Sequence, residues 1–185
     1  MTQIIGISGS LRRDSFNTAL LRAATTMMPD DATLTIKLIH DIPLYNYDVE
    51  TEGIPSAVTR LKDEIAASSG LLIATPEYNN SIPGVVKNAI DWLSRPSSDI
   101  PRVFGDLPVA IMGATPGAFG TVLSQNAWLP VLRTLGTRNW TGSRLVVPGA
   151  GKVFDAGGNI VDESVRERLQ KFVHGFVAFV KSQKD

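Results

Sequence analysis

The sequence predicts an α/β domain built on a parallel β-sheet with helices on both faces. Three observations carry that prediction. Five short apolar runs alternate with five longer stretches of helical periodicity. The chain has 185 residues, the size of one domain, for which roughly 100–200 residues are usual. One run, Leu71-Leu72-Ile73-Ala74, is apolar without alternation, as a strand covered on both faces must be. Strand, helix and strand in repetition require crossover connections, and those make the strands parallel.

The elements follow in order. Ile4-Ile5-Gly6-Ile7 is the first strand and runs into Ser8-Gly9-Ser10. Phe16, Ala19, Leu20, Ala23 and Met27 recur at helical spacing, with Asp14 or Ser15 as the cap. Thr33 to Ile39 alternates Leu34, Ile36 and Leu38, a strand with one face better buried. Pro55 suits a first helical turn, and Val58, Leu61 and Ile65 follow in register. After the third strand, Val86, Ala89, Ile90 and Leu93 give a third helix. Val109 to Met112 is the fourth strand, Thr121 to Leu135 a helix with a kink expected at Pro130, and Leu145-Val146-Val147 the fifth strand. Val165, Leu169, Phe172, Val173, Phe176 and Val180 mark the last helix. Pro148 to Val161 is rich in glycine and reads as an irregular surface excursion, with a turn at Asp155-Ala156-Gly157-Gly158. No shift in composition divides the chain, so residues 1–185 are read as a single domain.

Composition excludes several kinds of chemistry. Lysine plus arginine equals aspartate plus glutamate at 18 each, a balance that argues against a nucleic-acid partner drawn in by long-range attraction to phosphates. With no cysteine there is no disulfide, thiolate nucleophile, iron–sulfur cluster or cysteine zinc site, and with only His40 and His174, far apart in sequence, no metal site is expected. No apolar stretch approaches the roughly 18 residues of a membrane span, and Met1 to Asn17 lacks the pattern of a secretory signal. The expected location is the cytoplasm.

In an open α/β sheet, ligands bind beyond the carboxyl ends of the strands. Three loops leave those ends: Ser8 to Asn17, Pro76 to Pro83, and Ala114 to Gly120. The first joins a buried strand to a helix N-terminus, where free N–H groups and the helix dipole favour an anion. Ser10, Ser15 and Asn17 add neutral donors there, and Arg12 or Arg13 a positive charge, which suits a phosphate monoester. It is neither a G-x-x-x-x-G-K-[ST] loop nor a G-x-G-x-x-G fingerprint. The second loop, Thr75-Pro76-Glu77-Tyr78-Asn79-Asn80-Ser81-Ile82-Pro83-Gly84, is stiff and polar and suits the edge and face of a flat heterocycle. In the third, glycines allow close backbone approach and Thr115 offers a donor. Taken alone, the first loop also reads as a helix cap with solvated arginines, and the second as a proline-bounded turn.

Together these residues carry a resemblance. Gly9-Ser10-Leu11-Arg12 with Ser15 and Asn17 resembles the phosphate loop of the NAD(P)H-dependent FMN reductase family. Thr75-Pro76-Glu77-Tyr78-Asn79, Ser81, Pro83-Gly84 and Lys87-Asn88-Ala89-Ile90-Asp91-Trp92 are similar to that family's most specific motif. The likeness runs from Ile4 to the last helix. It implies a flavodoxin-like three-layer sandwich, a five-stranded parallel sheet in the order 2-1-3-4-5 with helices on both faces, and non-covalent FMN.

The implied function is two-electron hydride transfer from NAD(P)H to a small-molecule acceptor such as a quinone, free flavin, azo compound or metal oxyanion, in ping-pong order. By the same resemblance, Ser10, Arg12, Ser15 and Asn17, with Phe16 among them, hold the FMN phosphate. Pro76, Glu77, Tyr78 and Asn79 line the ribityl chain and the ring, largely through backbone groups, with Ser81 near the pyrimidine edge. Thr115 and Gly117 touch the ring from the third loop. No catalytic side chain is implied, because flavin N5 carries the chemistry, and no metal. Lys87, Asn88, Asp91 and Trp92 read as structural, Lys87 and Asp91 being four apart on a helix.

The resemblance further implies a homodimer burying the third and fourth helices, with Trp128 or Phe119 as a wall at the flavin. A homotetramer is the alternative, but Leu123-Ser124-Gln125-Asn126-Ala127-Trp128 lacks the arginine–tyrosine pair that joins dimers in some relatives. The competing function is a flavodoxin-type one-electron carrier, against which the balanced charge and Arg12 both weigh. A third reading, a regulatory domain that has lost its flavin, is opposed by the intact loops. The acceptor and the choice between NADH and NADPH stay open, since the sequence shows no pocket for a 2′-phosphate.

Overall fold

In the computed structural model, which describes residues 1–183, the first strand lies inside the parallel sheet, one place from its edge. β1 (Thr2–Ser8) lies between β2 (Ala32–Lys37) and β3 (Gly70–Ala74), and β3 pairs with β4 (Pro108–Ala114). The expected order holds, but the fifth position is filled by two pieces: β5 (Arg138–Asn139) pairs with Pro108 and Val109, and β6 (Leu145–Val147) with Met112 to Ala114. Six parallel strands therefore replace the five expected. Val109 and Met112 are three apart on β4 while their partners Asn139 and Leu145 are six apart. The edge chain must bulge out between them.

The helices are α1 (Phe16–Thr26), α2 (Tyr47–Glu52), α3 (Ser56–Ala66), α4 (Gly84–Leu93), α5 (Ile100–Val103) entered from a 3-10 turn at Ser97–Asp99, α6 (Val122–Thr134), α7 (Ala150–Val153) and α8 (Glu163–Ser182). α1 and α8 cover one face of the sheet; α3, α4 and α6 cover the other. β3 shows why its sequence does not alternate: Leu72 and Ala74 pack into the first layer, Leu71 and Ile73 into the second, and every residue is buried. α6 continues as one helix through Pro130. Among the described residues no helix is long and apolar enough to cross a membrane.

Two expectations need correction. The helices number more than five, because α2, α5 and α7 are too short for periodicity to show. The stretch from Pro148 to Val161 is not a surface excursion either: Ala150, Val153, Phe154 and Ile160 are buried in the first layer. Phe154 bridges Ile160 across the turn and stacks on Phe16 with ring centroids 5.6 Å apart. The turn itself is where it was expected. One oxygen of Asp155 accepts from the N–H groups of Gly157 and Asn159 at 2.9 and 2.8 Å. The Asn159 side-chain amide, with those backbone donors, holds the Asp155 carboxyl below its ordinary pKa.

The motif on α4 is structural, as expected. Lys87 and Asp91 pair at 2.6 Å and Trp92 is fully buried. Trp92 Nε1 and Asn88 Nδ2 both donate to the Pro43 carbonyl, at 2.9 and 2.8 Å, and Asn88 Oδ1 accepts from Tyr45 N. Arg95 then grips Glu50 through Nε at 2.9 and 3.1 Å, which keeps the Glu50 carboxyl below its usual pKa. α4 thus straps the segment from Pro43 to Glu50 to the body.

One glycine of β4 is forced by packing. A Cβ at Gly113 would lie 2.2 Å from Thr75 O and 2.3 Å from Thr121 Oγ1. Gly113→Ala is therefore expected to lower stability by roughly 1–3 kcal/mol, the cost of overpacking a filled interior. The midpoint of denaturant unfolding checks this, and an unchanged midpoint would refute the close approach.

Candidate active site

Ser8, Ala74 and Ala114 end three adjacent parallel strands, so the loops that follow them share one end of the sheet. The strand pattern continues into the loops: Gly9 N donates to Ala74 O and Thr75 N to Met112 O, both at 2.8 Å. Gly9 must lack a side chain, because a Cβ there would lie 2.9 Å from Pro76 Cδ and 3.1 Å from Ala74 O. The first loop is thereby pressed against the second.

In the first loop Ser15 caps α1, accepting from Thr18 N at 3.3 Å. Ser10 Oγ accepts from Arg12 N at 3.2 Å. Each hydroxyl proton is left to donate elsewhere. The peptide N–H groups of Phe16 and Asn17 lie in the first turn of α1, where no intrahelical acceptor exists. Arg12 is exposed and rests its guanidinium 5.7 Å from the Phe16 ring centroid, with Nη2 donating to Asp14 O. Phe16 has its ring between Phe154 and the Arg12 guanidinium, so what it offers an anion is its backbone N–H.

Asn17 has a role that sequence reasoning missed. Its side chain is buried and clasps one residue of the third loop: Nδ2 donates to Ala114 O and Oδ1 accepts from Ala114 N, both at 2.9 Å. Any contact of Asn17 with a phosphate therefore falls to its peptide N–H. Beneath it, the buried hydroxyls of Ser8 and Thr18 meet at 2.7 Å.

The second loop is held from below and open at its tip. Thr75 is fully buried, bonded to Ser124 Oγ at 2.9 Å and accepting from Trp128 Nε1 at 3.2 Å. Trp128 is fully buried in this network, so it cannot form a wall at the flavin; burying both its rings and its N–H partner favours the core. Glu77 is also committed: Oε2 accepts from Leu123 N and Ser124 N at 2.9 and 3.0 Å, capping α6 from outside the helix. Thr121, at the N-cap position, supplies no side-chain cap.

From Tyr78 to Ser81 the chain makes a two-residue hairpin, with Tyr78 N to Ser81 O at 3.2 Å and Ser81 N to Tyr78 O at 3.0 Å. Asn79 and Asn80 occupy the left-handed region, φ 50° and 60°. Asparagine tolerates that conformation, which a primed turn demands at both central positions. Tyr78, Asn79, Asn80 and Ser81 are exposed at this tip.

The third loop is anchored through its backbone. Thr115 N donates to Val147 O and Thr115 O accepts from Ala150 N, both at 3.0 Å, while Gly117 O accepts from Gly149 N at 3.2 Å. Phe119, 78% exposed, stands at the rim.

Ser10, Arg12, Ser15, Phe16, Asn17, Pro76, Glu77, Tyr78, Asn79, Ser81, Thr115 and Gly117 thus all lie on the three loops at one end of the sheet. The residues that join those loops, Thr75, Gly113, Ser124 and the Asn17 amide, gave no signal of that role in sequence. The arrangement fits FMN. An anionic end is met by two free helical N–H groups, two hydroxyls and a guanidinium, and a planar end by the exposed tips of the second and third loops.

The sequence profile of the NADPH-dependent FMN reductases matches residues 2–152. The chain belongs to the NADPH-dependent FMN reductase family. Among similar proteins, an NAD(P)H-dependent FMN reductase of Pseudomonas aeruginosa is 40% identical over 179 residues, spanning 97% of this chain and 95% of that protein. A 2-hydroxy-1,4-benzoquinone reductase of a Burkholderia species is 38% identical, spanning 98% of each. Among solved structures, the flavoenzyme NAD(P)H:(acceptor) oxidoreductase FerB of Paracoccus denitrificans superposes with a TM-score of 0.87 at 34% identity over 99% of both chains. The flavodoxin-like sandwich and its strand order are therefore those of the family.

Within this FMN reductase fold, Asn17→Asp tests the clasp. A carboxylate cannot donate to Ala114 O, so two oxygens would face each other in a buried site. The expected loss is about 1–3 kcal/mol of stability, seen as a lower unfolding midpoint without any ligand present. Stability equal to the wild type would show that the clasp contributes nothing.

Proposed function

We propose that this protein is an FMN-dependent NAD(P)H oxidoreductase that reduces quinones and similar small acceptors; its Burkholderia relative is named a 2-hydroxy-1,4-benzoquinone reductase and its Pseudomonas aeruginosa relative an NAD(P)H-dependent FMN reductase. The observation that carries the reading is the donor-rich first loop beside two exposed loop tips, on a chain whose formal net charge is zero. A one-electron carrier docking on a basic partner would favour an acidic surface. The cytoplasm, where nicotinamide cofactors are continually re-reduced, is the location that suits this activity.

The chain's residues have separate tasks. Arg12, Ser10, Ser15 and the N–H groups of Phe16 and Asn17 bind the phosphate dianion at the positive end of α1. The hairpin spends its Tyr78 and Ser81 N–H groups on itself, so the donors it offers a ring edge are those of Asn79 and Asn80. Glu77 orients the hairpin by anchoring its first residue to α6, and Thr115 and Gly117 border the ring from the other side. Bound FMN supplies the hydride chemistry; no side chain acts as nucleophile or proton carrier. Peptide dipoles held rigidly at a site of growing negative charge need no reorganisation during the reaction.

Two measurements test this. Arg12→Ala is expected to weaken FMN by roughly ten- to a hundredfold, the worth of a charge-assisted hydrogen bond, with little effect on riboflavin, which lacks the phosphate. Equal affinity of the wild type for both would overturn the phosphate assignment. Initial rates with NAD(P)H and a quinone should give parallel double-reciprocal lines, because nicotinamide and acceptor take turns at one open face; intersecting lines would mean that both are bound at once.

We further propose a homodimer. Leu123 and Leu129 on α6 are 42% and 46% exposed, and Leu44 and Tyr47 on the strap held by α4 are 83% and 60% exposed. Large apolar side chains beside the same two helices suit a covered surface. Sedimentation at micromolar concentration should give twice the 19.9 kDa chain mass; a fully active monomer would refute the dimer.

A further inference from the structure

Between α6 and the edge of the sheet lies a cleft of about 250 Å³ that shares no residue with the three loops of the flavin site. It exists because the edge chain bulges. β4 pairs with Asn139 at Val109 and next with Leu145 at Met112, so Ala110 and Ile111 have no partner in register. Ile111 is the one residue of β4 that is not fully buried, and it lines the cleft together with Leu129 of α6. The bulge, from Trp140 to Arg144, supplies the opposite wall. That wall is fixed in place. Trp140 N donates to Val109 O at 2.8 Å, and the indole meets Phe172 edge-on with ring centroids 4.9 Å apart. Two glycines press on the same indole: a Cβ at Gly175 of α8 would lie 2.8 Å from Trp140 Cζ2, and one at Gly142 would lie 2.6 Å from Nε1.

Arg144 is the one charged residue that lines the cleft. Its guanidinium is held by neutral groups: Nη2 donates to Asn126 Oδ1 at 2.5 Å and to Val122 O at 3.3 Å, and Nε to Gln125 Oε1 at 3.3 Å. Gln125 is buried, and its Nε2 donates to Leu145 O and Thr121 Oγ1 at 2.9 and 3.0 Å, which turns its oxygen toward the arginine. Among the described residues no carboxylate pairs with Arg144. Nη1 is left with both of its N–H groups to donate. A full positive charge is thus fixed in direction, unneutralised, and set beside the apolar side chains of Ile111, Leu129 and Trp140.

We propose that this cleft binds a small aromatic carboxylate, with its ring against Ile111, Leu129 and Trp140 and its charge on Arg144 Nη1. Charge complementarity calls for an anion. A lone guanidinium with no second cation and no helix N-terminus beside it suits a monoanion rather than a phosphate dianion. The apolar lining calls for a hydrocarbon body on that anion. Pockets for drug-sized ligands run to about 300–1,000 Å³, so a cleft below that range limits the body to about a single ring. A second copy of this chain is the competing occupant, because Leu129 is exposed on α6, and the test separates the two.

The test titrates FMN-saturated, 15N-labelled protein with benzoate, benzamide and inorganic phosphate and follows the amide spectrum by NMR. Benzoate should shift the signals of Trp140 to Arg144 saturably. It should bind about tenfold more tightly than benzamide, which has the ring without the charge, the effect of one charge-assisted contact in a half-open site. Arg144→Gln should lower benzoate to the affinity of benzamide. Ser143→Phe, a substitution on the bulge that fills the cleft, should abolish binding of both and leave FMN affinity at the wild-type value. Equal affinity for benzoate and benzamide, shifts confined to the flavin loops, no saturable shift, or benzoate binding that survives both substitutions would overturn the proposal. Inorganic phosphate binding as tightly as benzoate would mark a general anion site and overturn the carboxylate assignment. A cleft silent to benzoate in the wild type, in a protein whose Arg144→Gln variant sediments at half the mass, would give this face to a second copy and overturn the proposal.

Discussion

The two hydrogen bonds between the Asn17 side chain and the Ala114 peptide hold this site together. They join the first turn of α1, which follows β1, to the end of β4, with β3 lying between those strands. An amide in that position satisfies a buried N–H and a buried C=O at once, which leaving either unpaired would make costly. Around it the fit is close enough to dictate residue size: Gly9 lets the first loop touch Pro76, and Gly113 lets Thr75 and Thr121 close over β4. The cradle is held together by contacts within the protein itself.

That constraint explains an otherwise odd division of labour. The polar side chains most suggestive of binding are partly engaged in architecture. Asn17 clasps a strand end, Glu77 caps α6, and Asn79 and Asn80 are chosen for a left-handed turn. What remains to face a ligand is mainly peptide N–H, two hydroxyls and arginine. Such donors are fixed in direction, which suits a cofactor that must be placed accurately but not chemically attacked.

Much of this was legible in the sequence. The unalternated run Leu71–Ala74 announced a strand buried on both faces, and the alternation of runs gave the parallel sheet and its loop ends. The elements that escaped notice lack an apolar signature: α2 buries no residue, and β5 is the pair Arg138–Asn139. The segment from Pro148 to Val161 was misread because its glycines outweighed Val153, Phe154 and Ile160, whose burial depends on α1 and α8 lying beneath them. The binding loops could be located from their residue types and the family likeness. The tasks of Asn17, Glu77 and Thr75 could not, because their partners Ala114, Leu123 and Ser124 are 97, 46 and 49 positions away.

The central claim is that a preformed cradle receives the phosphate of FMN on the N-terminus of α1. Amide hydrogen exchange with and without FMN tests it most directly. The amides of Gly9, Thr75 and Ala114, bonded within the protein, should be protected before FMN is added, while those of Phe16 and Asn17 should become protected only on adding FMN and not riboflavin. Free exchange at Gly9, Thr75 and Ala114 without ligand, or identical protection of Phe16 and Asn17 by riboflavin, would contradict the account.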